Sequence, residues 1–383
     1  MKDNNIKIVI SGVEGVNKGA ELMLYAILAQ VEERFPNAII FLPISQFPYG
    51  LGTIKTSLTL KQSPNKFVRF LGKNHITGLL NRLGLRFKYL NNLIPIKGAC
   101  YYLDASGLYF SDQMISSERI AKDLHVLLQG YKKQGTKIIY LPQAFGPFEK
   151  KASKIAIDAA LRYSDFLTVR DSTSMKYLLG LNTYSTNIKQ YPDFTSIVSG
   201  IIPQKYNHLT GRVCIIPNSQ VIRKGIMLKE DYLNLITHMV TAIYNAGYEA
   251  FFLEHANDSI LIEECAQTTK YDIPIVSGLD ALSVKGLIGQ SYLCISSRFH
   301  GVASAFSNNV PCLTTSWNHK YQELLELYGM EKALLSSSVA ECITKVKYFL
   351  DKKVNTNIRE ELQIKNHMVQ EKVKEMWKEI WNI

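Results

Sequence analysis

Short apolar runs alternate along the chain with longer segments whose apolar positions recur at helical spacing. The run IKIVISG ends at a glycine, AELMLYAILAQVEERF follows it with a helical period, and AIIFLPI returns as a strand. The same order recurs downstream, with further strands predicted at DFLTVRD, RVCIIPNSQ, YEAFFLEHAND, SYLCISS and VPCLTTSW. Buried strands separated by helices are typical of a parallel sheet covered by helices on both faces.

The alternation forms two series, separated by the proline-, glycine- and polar-rich stretch GIIPQKYNHLTG, which predicts a linker near residues 198–212. A chain of 383 residues also exceeds what one hydrophobic core usually organises. We therefore expect an α/β protein with two Rossmann-like, doubly wound domains facing a cleft. The expected domains are residues 1–200 and 201–350, and residues 351–383 are expected to form amphipathic helices that pack back across a domain.

Composition narrows the class of protein. With 46% hydrophobic and 20% charged residues, the chain is typical of an ordinary globular protein. Six cysteines are scattered with no CxxC pair, which argues against a zinc knuckle and against a disulfide framework. The N-terminus lacks the apolar region of a signal peptide, and no apolar run reaches transmembrane length. We expect a cytoplasmic protein.

The net charge of +11 is unevenly distributed. Between Phe35 and Leu103 there is no acidic residue, and basic residues there are interleaved with leucines and aromatics, which predicts a basic insertion at about 50–97. Such a segment can lie on an anionic membrane surface or bind an anionic polymer. A solvated basic face on a helical insertion explains the same charge. Nucleic-acid binding is not expected, because the basic residues are concentrated in one insertion without a recognised motif.

The polar residues that follow the predicted strands form the candidate site, since doubly wound sheets bind ligands at the carboxyl ends of their strands. In the first half these residues are Glu14, Asn17, Asp104, Ser106, Gln143 and Arg170. In the second half they are Asn218, Arg223, Lys224, His255, Ser297, Arg298, His300, Trp317, His319 and Lys320. No histidine, cysteine and aspartate cluster has the spacing of metal ligands, so no metal is expected.

The stretch SSRFHGVASAF places two of these candidates at one strand-to-helix junction. Ser297 is the predicted N-cap, so Arg298 and His300 lie beside a first helical turn, where free amides and the helix dipole attract anions. An arginine fork suits phosphate or carboxylate, and a histidine in the same turn can donate or accept a proton. A structural histidine with an interdomain salt bridge explains the spacing as well. The glycine-rich SGVEGVNKGAE matches no standard phosphate loop, and a tight turn accounts for its glycines.

The block SRFHGVASAFSNNVPCLTTSWNHKYQELLELYG resembles the C-terminal hallmark of the polysaccharide pyruvyl transferase family. NKGAELMLYAIL, LDASGLYFSDQ, LPQAFGPF, VRDSTSMKYL and YPDFT also resemble that family, in its order, so that the resemblance spans roughly residues 7–330. It implies two Rossmann-like domains similar to GT-B glycosyltransferases. It also implies transfer of pyruvate from phosphoenolpyruvate to a sugar as a cyclic ketal, with phosphoenolpyruvate as donor substrate and no separate cofactor.

The resemblance also implies roles for particular residues. The family's Arg-x-His corresponds to Arg298, expected to hold phosphate, and His300, expected to act as general acid or base. Arg170 is a further candidate for binding the donor's anionic groups. Where many members have an arginine directly after the first strand of the second domain, this chain reads IIPNSQVIRKG, so Arg223 or Lys224 is expected to replace it.

On the acceptor side, Asp104 or Glu14 is expected to accept a hydroxyl proton or to bind the sugar. The expected acceptor is a bacterial capsular or exopolysaccharide precursor linked to undecaprenyl diphosphate. Galactose is the sugar that the family's habit suggests, and mannose or an N-acetylhexosamine remains open. A peripheral position on the inner face of the cell membrane would follow from that acceptor and from the basic insertion. Two other hypotheses remain open: a GT-B-type glycosyltransferase with a nucleotide-sugar donor, and a non-catalytic polysaccharide-assembly protein.

Overall fold

A computed structural model describes residues 6–43, 47, 50–63, 95–181, 187–315 and 319–383. By contacts the chain divides into an N-terminal unit, Met1–Gly15 with Ala26–Pro192 and Glu375–Ile383, and a C-terminal unit, Val16–Tyr25 with Asp193–Lys374. Most of the basic insertion, residues 64–94, lies outside the described residues, as do Trp317 and the side chain of His319. Within the described residues, no helix is long and apolar enough to cross a membrane.

The N-terminal unit contains a seven-stranded parallel sheet in the order β3-β2-β1-β4-β5-β6-β7. Its strands are β1 (Lys7–Ser11), β2 (Ile39–Pro43), β3 (Thr59–Ser63), β4 (Tyr101–Asp104), β5 (Lys137–Gln143), β6 (Phe166–Val169) and β7 (Ile188–Gln190). The helices along this part of the chain are α1 (Lys18–Arg34), α2 (Glu118–Lys133), α3 (Lys151–Tyr163) and α4 (Ser172–Leu179).

Local sequence explains these elements. All four residues of β6 are buried, which is expected of a strand covered by helices on both faces of a parallel sheet. Helix α2 buries Ala121, Leu128 and Tyr131 on one face, and the hydroxyl of Ser117 accepts the N–H of Ile120 to cap its first turn.

The C-terminal unit contains a six-stranded parallel sheet in the order β10-β9-β8-β11-β12-β13. Its strands are β8 (Val213–Ile216), β9 (Ala250–Leu253), β10 (Ile275–Val276), β11 (Leu293–Ser296), β12 (Cys312–Thr315) and β13 (Leu334–Leu335). The helices that follow α4 are α5 (Ser219–Arg223), α6 (Lys229–Asn245), α7 (Ser259–Gln267), α8 (Ala281–Gly289), α9 (Phe299–Ser307), α10 (His319–Tyr328), α11 (Val339–Leu350) and α12 (Lys352–Trp381).

The long helix α12 begins in the C-terminal unit and ends in the N-terminal one. Ile358 and Leu362 join the core of the C-terminal unit. In the N-terminal unit, the Trp381 ring meets Phe35 and Tyr101 edge-on, with ring centroids 5.4 and 5.5 Å apart.

The prediction of two Rossmann-like parallel sheets is confirmed. In each sheet the strand order reverses beside the first strand of the unit, between β1 and β4 and between β8 and β11. Loops diverge at such a switch point, and ligands of doubly wound proteins bind there. The candidate residues after β4 and β11 therefore lie at the two positions where this architecture places sites.

Candidate active site

Ser297 lies at the switch point of the second sheet and is held by three neighbours. Asn218 follows β8, and its side-chain amide donates a hydrogen bond to the Ser297 carbonyl at 2.6 Å. The hydroxyl of Tyr321 donates to the same carbonyl at 2.8 Å, and that of Thr315 donates to Ser297 Oγ at 2.7 Å. The loop that precedes Arg298 is therefore fixed from β8, β12 and α10.

The predicted N-cap is wrong by one residue. Helix α9 begins at Phe299, and Arg298 occupies the N-cap position in an extended conformation. Ser297 lies one residue before the cap, and its hydroxyl accepts a hydrogen bond from Thr315, whereas the Ser296 hydroxyl accepts the N–H of Arg298 at 3.1 Å. Gly301 makes room for that serine, since a Cβ there would lie 2.3 Å from Ser296 Oγ.

Asn218 offers a test of how much this junction contributes to stability. Besides bonding to Ser297, Asn218 accepts the N–H of Gln220 at 3.0 Å and caps α5. We expect Asn218→Ala to lower the free energy of unfolding by about 1–3 kcal/mol, because a buried cap and a buried hydrogen bond are lost together. Denaturant titration measures the difference. Ser338→Ala removes an exposed helix cap without a tertiary bond and should cost clearly less; equal losses would contradict the assigned role.

A buried carboxylate orients the guanidinium group of Arg298. Nη2 of Arg298 pairs with Oδ2 of Asp258, whose side chain is fully buried. The other oxygen of Asp258 accepts the N–H and the hydroxyl of Ser219 at 3.0 and 2.6 Å. Nε of Arg298 is buried and has no hydrogen-bond partner within the described part of the chain. The arginine is thus held on one edge and retains a buried donor for an anion.

A second carboxylate faces His300. Nε2 of the imidazole lies 3.4 Å from Oδ2 of Asp193, and both side chains are largely buried. Asp193 heads the 3-10 turn Phe194–Ile197, and its Oδ1 accepts the N–H and hydroxyl of Thr195 at 2.9 and 2.5 Å. Our candidate residues did not include Asp193, although its motif YPDFT contributed to the family resemblance.

The first turn of α1 belongs to the same unit as His300 and packs against it. A Cβ on Gly19 would lie 2.1 Å from Nδ1 of His300 and 2.6 Å from Cγ, so only glycine fits there. Asn17 Oδ1 accepts the Gly19 N–H at 3.1 Å, and the Lys18 N–H donates to the His255 carbonyl at 3.3 Å. Asn17, predicted at the end of a different strand, is therefore brought close to the Arg-x-His motif.

His255 is a second imidazole in this region. It is 3% exposed, and its Nδ1 has no hydrogen-bond partner among the described residues. Burial, together with the positive charges of Arg298 and His300, holds its pKa well below the usual value. His255 is therefore neutral at neutral pH and can form a hydrogen bond with a ligand without adding charge.

Lys320 lies beside the start of α9. Its ammonium group is 5.4 Å from the ring centroid of Phe299 and 5.6 Å from that of Tyr321, both within cation–π range. Arg223 and Lys224 are exposed at the C-terminal end of α5, the helix whose first residue binds Asp258.

In the N-terminal unit, Asp104, Ser106 and Gln143 come together at the end of β4. Asp104 Oδ1 accepts the Ser106 N–H at 3.1 Å and the Gln143 side-chain amide at 3.2 Å. Asp104 is 3% exposed, and burial raises the pKa of its carboxyl group. Gly12, with φ +78°, lets the two loops meet, because a Cβ there would lie 2.3 Å from Ser106 Oγ.

Glu14 and Arg170 lie in the same unit as Asp104. The Glu14 side chain is partly buried, and burial raises its pKa. Arg170 follows β6, and its backbone N–H donates to the Gln143 carbonyl at 3.2 Å. The structure therefore connects Arg170 to the Asp104 cluster through Gln143.

The profile of the polysaccharide pyruvyl transferase family matches residues 17–319, most of the chain. The chain belongs to this enzyme family. The match begins at Asn17, includes Asp193, Asp258, Arg298 and His300, and ends one residue before Lys320. Among curated proteins no sequence match is found.

Solved structures share the fold of this pyruvyl transferase family member. UDP-GlcNAc 2-epimerase from Methanocaldococcus jannaschii is 12% identical, with a TM-score of 0.58, and the match covers 91% of this chain and 93% of that one. UGT71G1 of Medicago truncatula, complexed with UDP-glucose, is 10% identical, with 99% of each chain covered and a TM-score of 0.54. WaaG, a glycosyltransferase involved in lipopolysaccharide biosynthesis, is 10% identical, with 97% and 98% covered and a TM-score of 0.52. The likeness supports the GT-B-like, two-domain Rossmann fold.

Proposed function

We propose that this protein transfers pyruvate from phosphoenolpyruvate to a sugar of a bacterial capsular or exopolysaccharide precursor and forms a pyruvate ketal. The observation that carries the proposal is the start of α9, where Arg298 and His300 each face a buried carboxylate. Arg298 is thereby oriented to bind an anion, and His300 is a candidate proton donor at the same helix N-terminus.

Phosphoenolpyruvate carries a phosphate and a carboxylate, so its binding site needs several donors and positive charge. The guanidinium group of Arg298 and the free amides of the first turn of α9 suit the phosphate. Lys320 adds positive charge beside Phe299. Neutral His255 donates or accepts one hydrogen bond. For the donor carboxylate we propose the remaining cations of the candidate set, Arg170, Arg223 and Lys224.

The reaction requires two proton transfers from the acceptor sugar. A proton is added to the methylene carbon of phosphoenolpyruvate, which makes C2 electrophilic, and a sugar hydroxyl oxygen bonds to C2. The C2–O bond to phosphate then breaks, and a second hydroxyl oxygen closes the ketal. The two hydroxyl protons are balanced by the one gained by carbon and the one that leaves with phosphate. His300 supplies the first proton while Asp193 balances the charge of its imidazolium, and Arg298 stabilises the departing phosphate.

For the acceptor hydroxyls we propose Glu14 as the proton-accepting group. Its carboxyl is only partly buried, and its raised pKa makes it a better base than an exposed glutamate. Asp104 is more deeply buried and is bonded to Ser106 and Gln143. Asp104 therefore suits a role in orienting those two side chains toward the sugar.

The acceptor that we propose is a lipid-linked precursor on undecaprenyl diphosphate, with galactose as the sugar. The protein would then act in the cytoplasm, peripherally on the inner face of the cell membrane. Support comes from the sequence: residues 35–103 contain no acidic residue and nine basic ones, a charge pattern that suits anionic lipid.

The test is phosphate release from phosphoenolpyruvate by the purified protein. A panel of galactosyl, mannosyl and N-acetylhexosaminyl acceptors, lipid-linked or as nitrophenyl glycosides, is offered, and the product is examined by mass spectrometry for the ketal. We expect release that depends on one class of acceptor. The proposal would be overturned by absence of phosphoenolpyruvate binding together with sugar transfer from UDP-sugars, which would favour the glycosyltransferase.

A further inference from the structure

Lys285 is a lysine side chain buried in the C-terminal unit. It is 1% exposed, although lysine is among the residues least often fully buried. Its helix, α8, packs closely against the backbone of Ile201. A Cβ on Gly286 of this helix would lie 2.3 Å from the Ile201 carbonyl oxygen. The N–H of Ile201 donates to the Leu282 carbonyl at 2.9 Å, which fixes the same contact. Close backbone packing thus places Lys285 next to the turn that precedes Ile201.

The ammonium group of Lys285 connects to His300 through that turn. Nζ donates to the Thr195 carbonyl at 2.7 Å. Thr195 in turn donates its N–H and its hydroxyl to Oδ1 of Asp193, whose Oδ2 faces His300. A contiguous cluster in the interior of the C-terminal unit is therefore formed by Lys285, the turn at Thr195, the Asp193 carboxylate and the His300 imidazole.

The charged and titratable neighbours of this cluster come from three helices and from the loop after β9. Asp193 interacts with Lys285 on α8, with His300 on α9 and with Tyr328 on α10. His300 also interacts electrostatically with His255, and Arg298 lies two residues before it on the same helix start. Asp193 is thus the carboxylate shared by a buried lysine and the proposed proton donor.

We propose that Lys285 is a positioning residue of the active site, which holds the Asp193 turn in place and, by balancing the charge of Asp193, controls the protonation of His300. The inference rests on the proposed function, in which His300 transfers the proton. When Lys285 is charged, it compensates Asp193, and His300 releases its proton more easily. When Lys285 is neutral, the whole charge of Asp193 acts on His300.

The titration of Lys285 falls in the range where this control operates. Burial lowers the pKa of Lys285 from 10.5 to about 7, and the charge of Asp193 opposes the decrease. The unfolded chain binds this proton up to its ordinary pKa, so the folded protein binds fewer protons between pH 7 and 10. The contribution of Lys285 to stability therefore becomes more favourable as pH rises through this range.

The experiment follows the imidazole signals of histidine-labelled protein by NMR as a function of pH, with the signal of His300 identified by its loss in His300→Gln. In Lys285→Met we expect His300 to titrate at a pH higher by on the order of 1 unit, because the compensating charge is gone. Lys285→Arg keeps the charge and should not raise the midpoint. Lys332→Met, which removes an exposed lysine of the same unit, should leave it unchanged.

An unchanged His300 midpoint in folded Lys285→Met would overturn the proposal and leave the lysine a purely structural role. If that variant does not fold, the proposal is tested on the wild-type protein. The pH titration of the His300 signal should then show a second step where Lys285 titrates, and a single step would overturn the proposal. The NMR measurement needs no substrate, so it stands apart from the test of pyruvyl transfer. Where transfer is detected, the pH profile of its rate should move with the His300 midpoint.

Discussion

Replacement of His300 by glutamine should lower the rate of acceptor-dependent phosphate release by about 10²–10⁴-fold. Glutamine keeps a polar group that can bond to Asp193 but cannot transfer a proton to the methylene carbon. Asp193 is fixed by its own bonds to Thr195, so the loss should arise from the missing proton rather than from a collapsed turn. Rates measured with saturating phosphoenolpyruvate and acceptor give the comparison.

His238→Gln is the matched control. His238 is exposed on α6, where Nδ1 lies 2.8 Å from the Asn234 carbonyl oxygen, and its replacement should leave the rate unchanged. Thermal unfolding of both variants shows whether the fold is retained. A folded His300→Gln protein with wild-type activity would exclude His300 as the proton donor. If neither the variant nor the wild type releases phosphate, yet both support polysaccharide assembly, the non-catalytic hypothesis gains support.

The sequence predicts the two parallel sheets because the signal is local. Strands β8, β9 and β11 of the second sheet are short, fully buried and mainly apolar runs such as VCII or LCIS. The carboxyl-end rule then finds Arg298 and His300 without knowledge of what they contact. Contacts between residues distant in the sequence leave no such local pattern. The sequence therefore does not reveal that Asn218 bonds to the loop after β11.

The groups that orient the site are harder to find for the same reason. Asp193 precedes a turn and caps it, a role that an aspartate at this position commonly has. Its contact with His300 is visible only in the tertiary structure. Lys285 lies in an apolar helix where a lysine is unexpected, and this conflict was the available signal. Ser297 was misassigned as the N-cap because hydroxyl residues are good caps, whereas its bond to Thr315 depends on a neighbouring strand.

Gly19→Ala should reduce the turnover rate by about 10–10²-fold, the effect expected when a reacting group is displaced by roughly an ångström. Two effects of the added methyl group oppose each other. Alanine favours the helix by about 0.5–1 kcal/mol over glycine. The new Cβ would however lie 2.1 Å from Nδ1 of His300, so the ring or the first turn of α1 must move. Activity should therefore fall by much more than any change in stability would explain.

Gly52→Ala is the control, since a Cβ at Gly52 would meet nothing within 4 Å, and it should leave the rate unchanged. A double-mutant cycle with His300→Gln identifies the cause of the loss. If the methyl group acts by displacing the imidazole, Gly19→Ala should cost little further activity once the imidazole is absent. If the two losses multiply, Gly19 contributes separately, through the backbone of the first turn of α1 and its contact with His255. The first outcome would identify the tip of α1 as the surface that positions His300 for proton transfer.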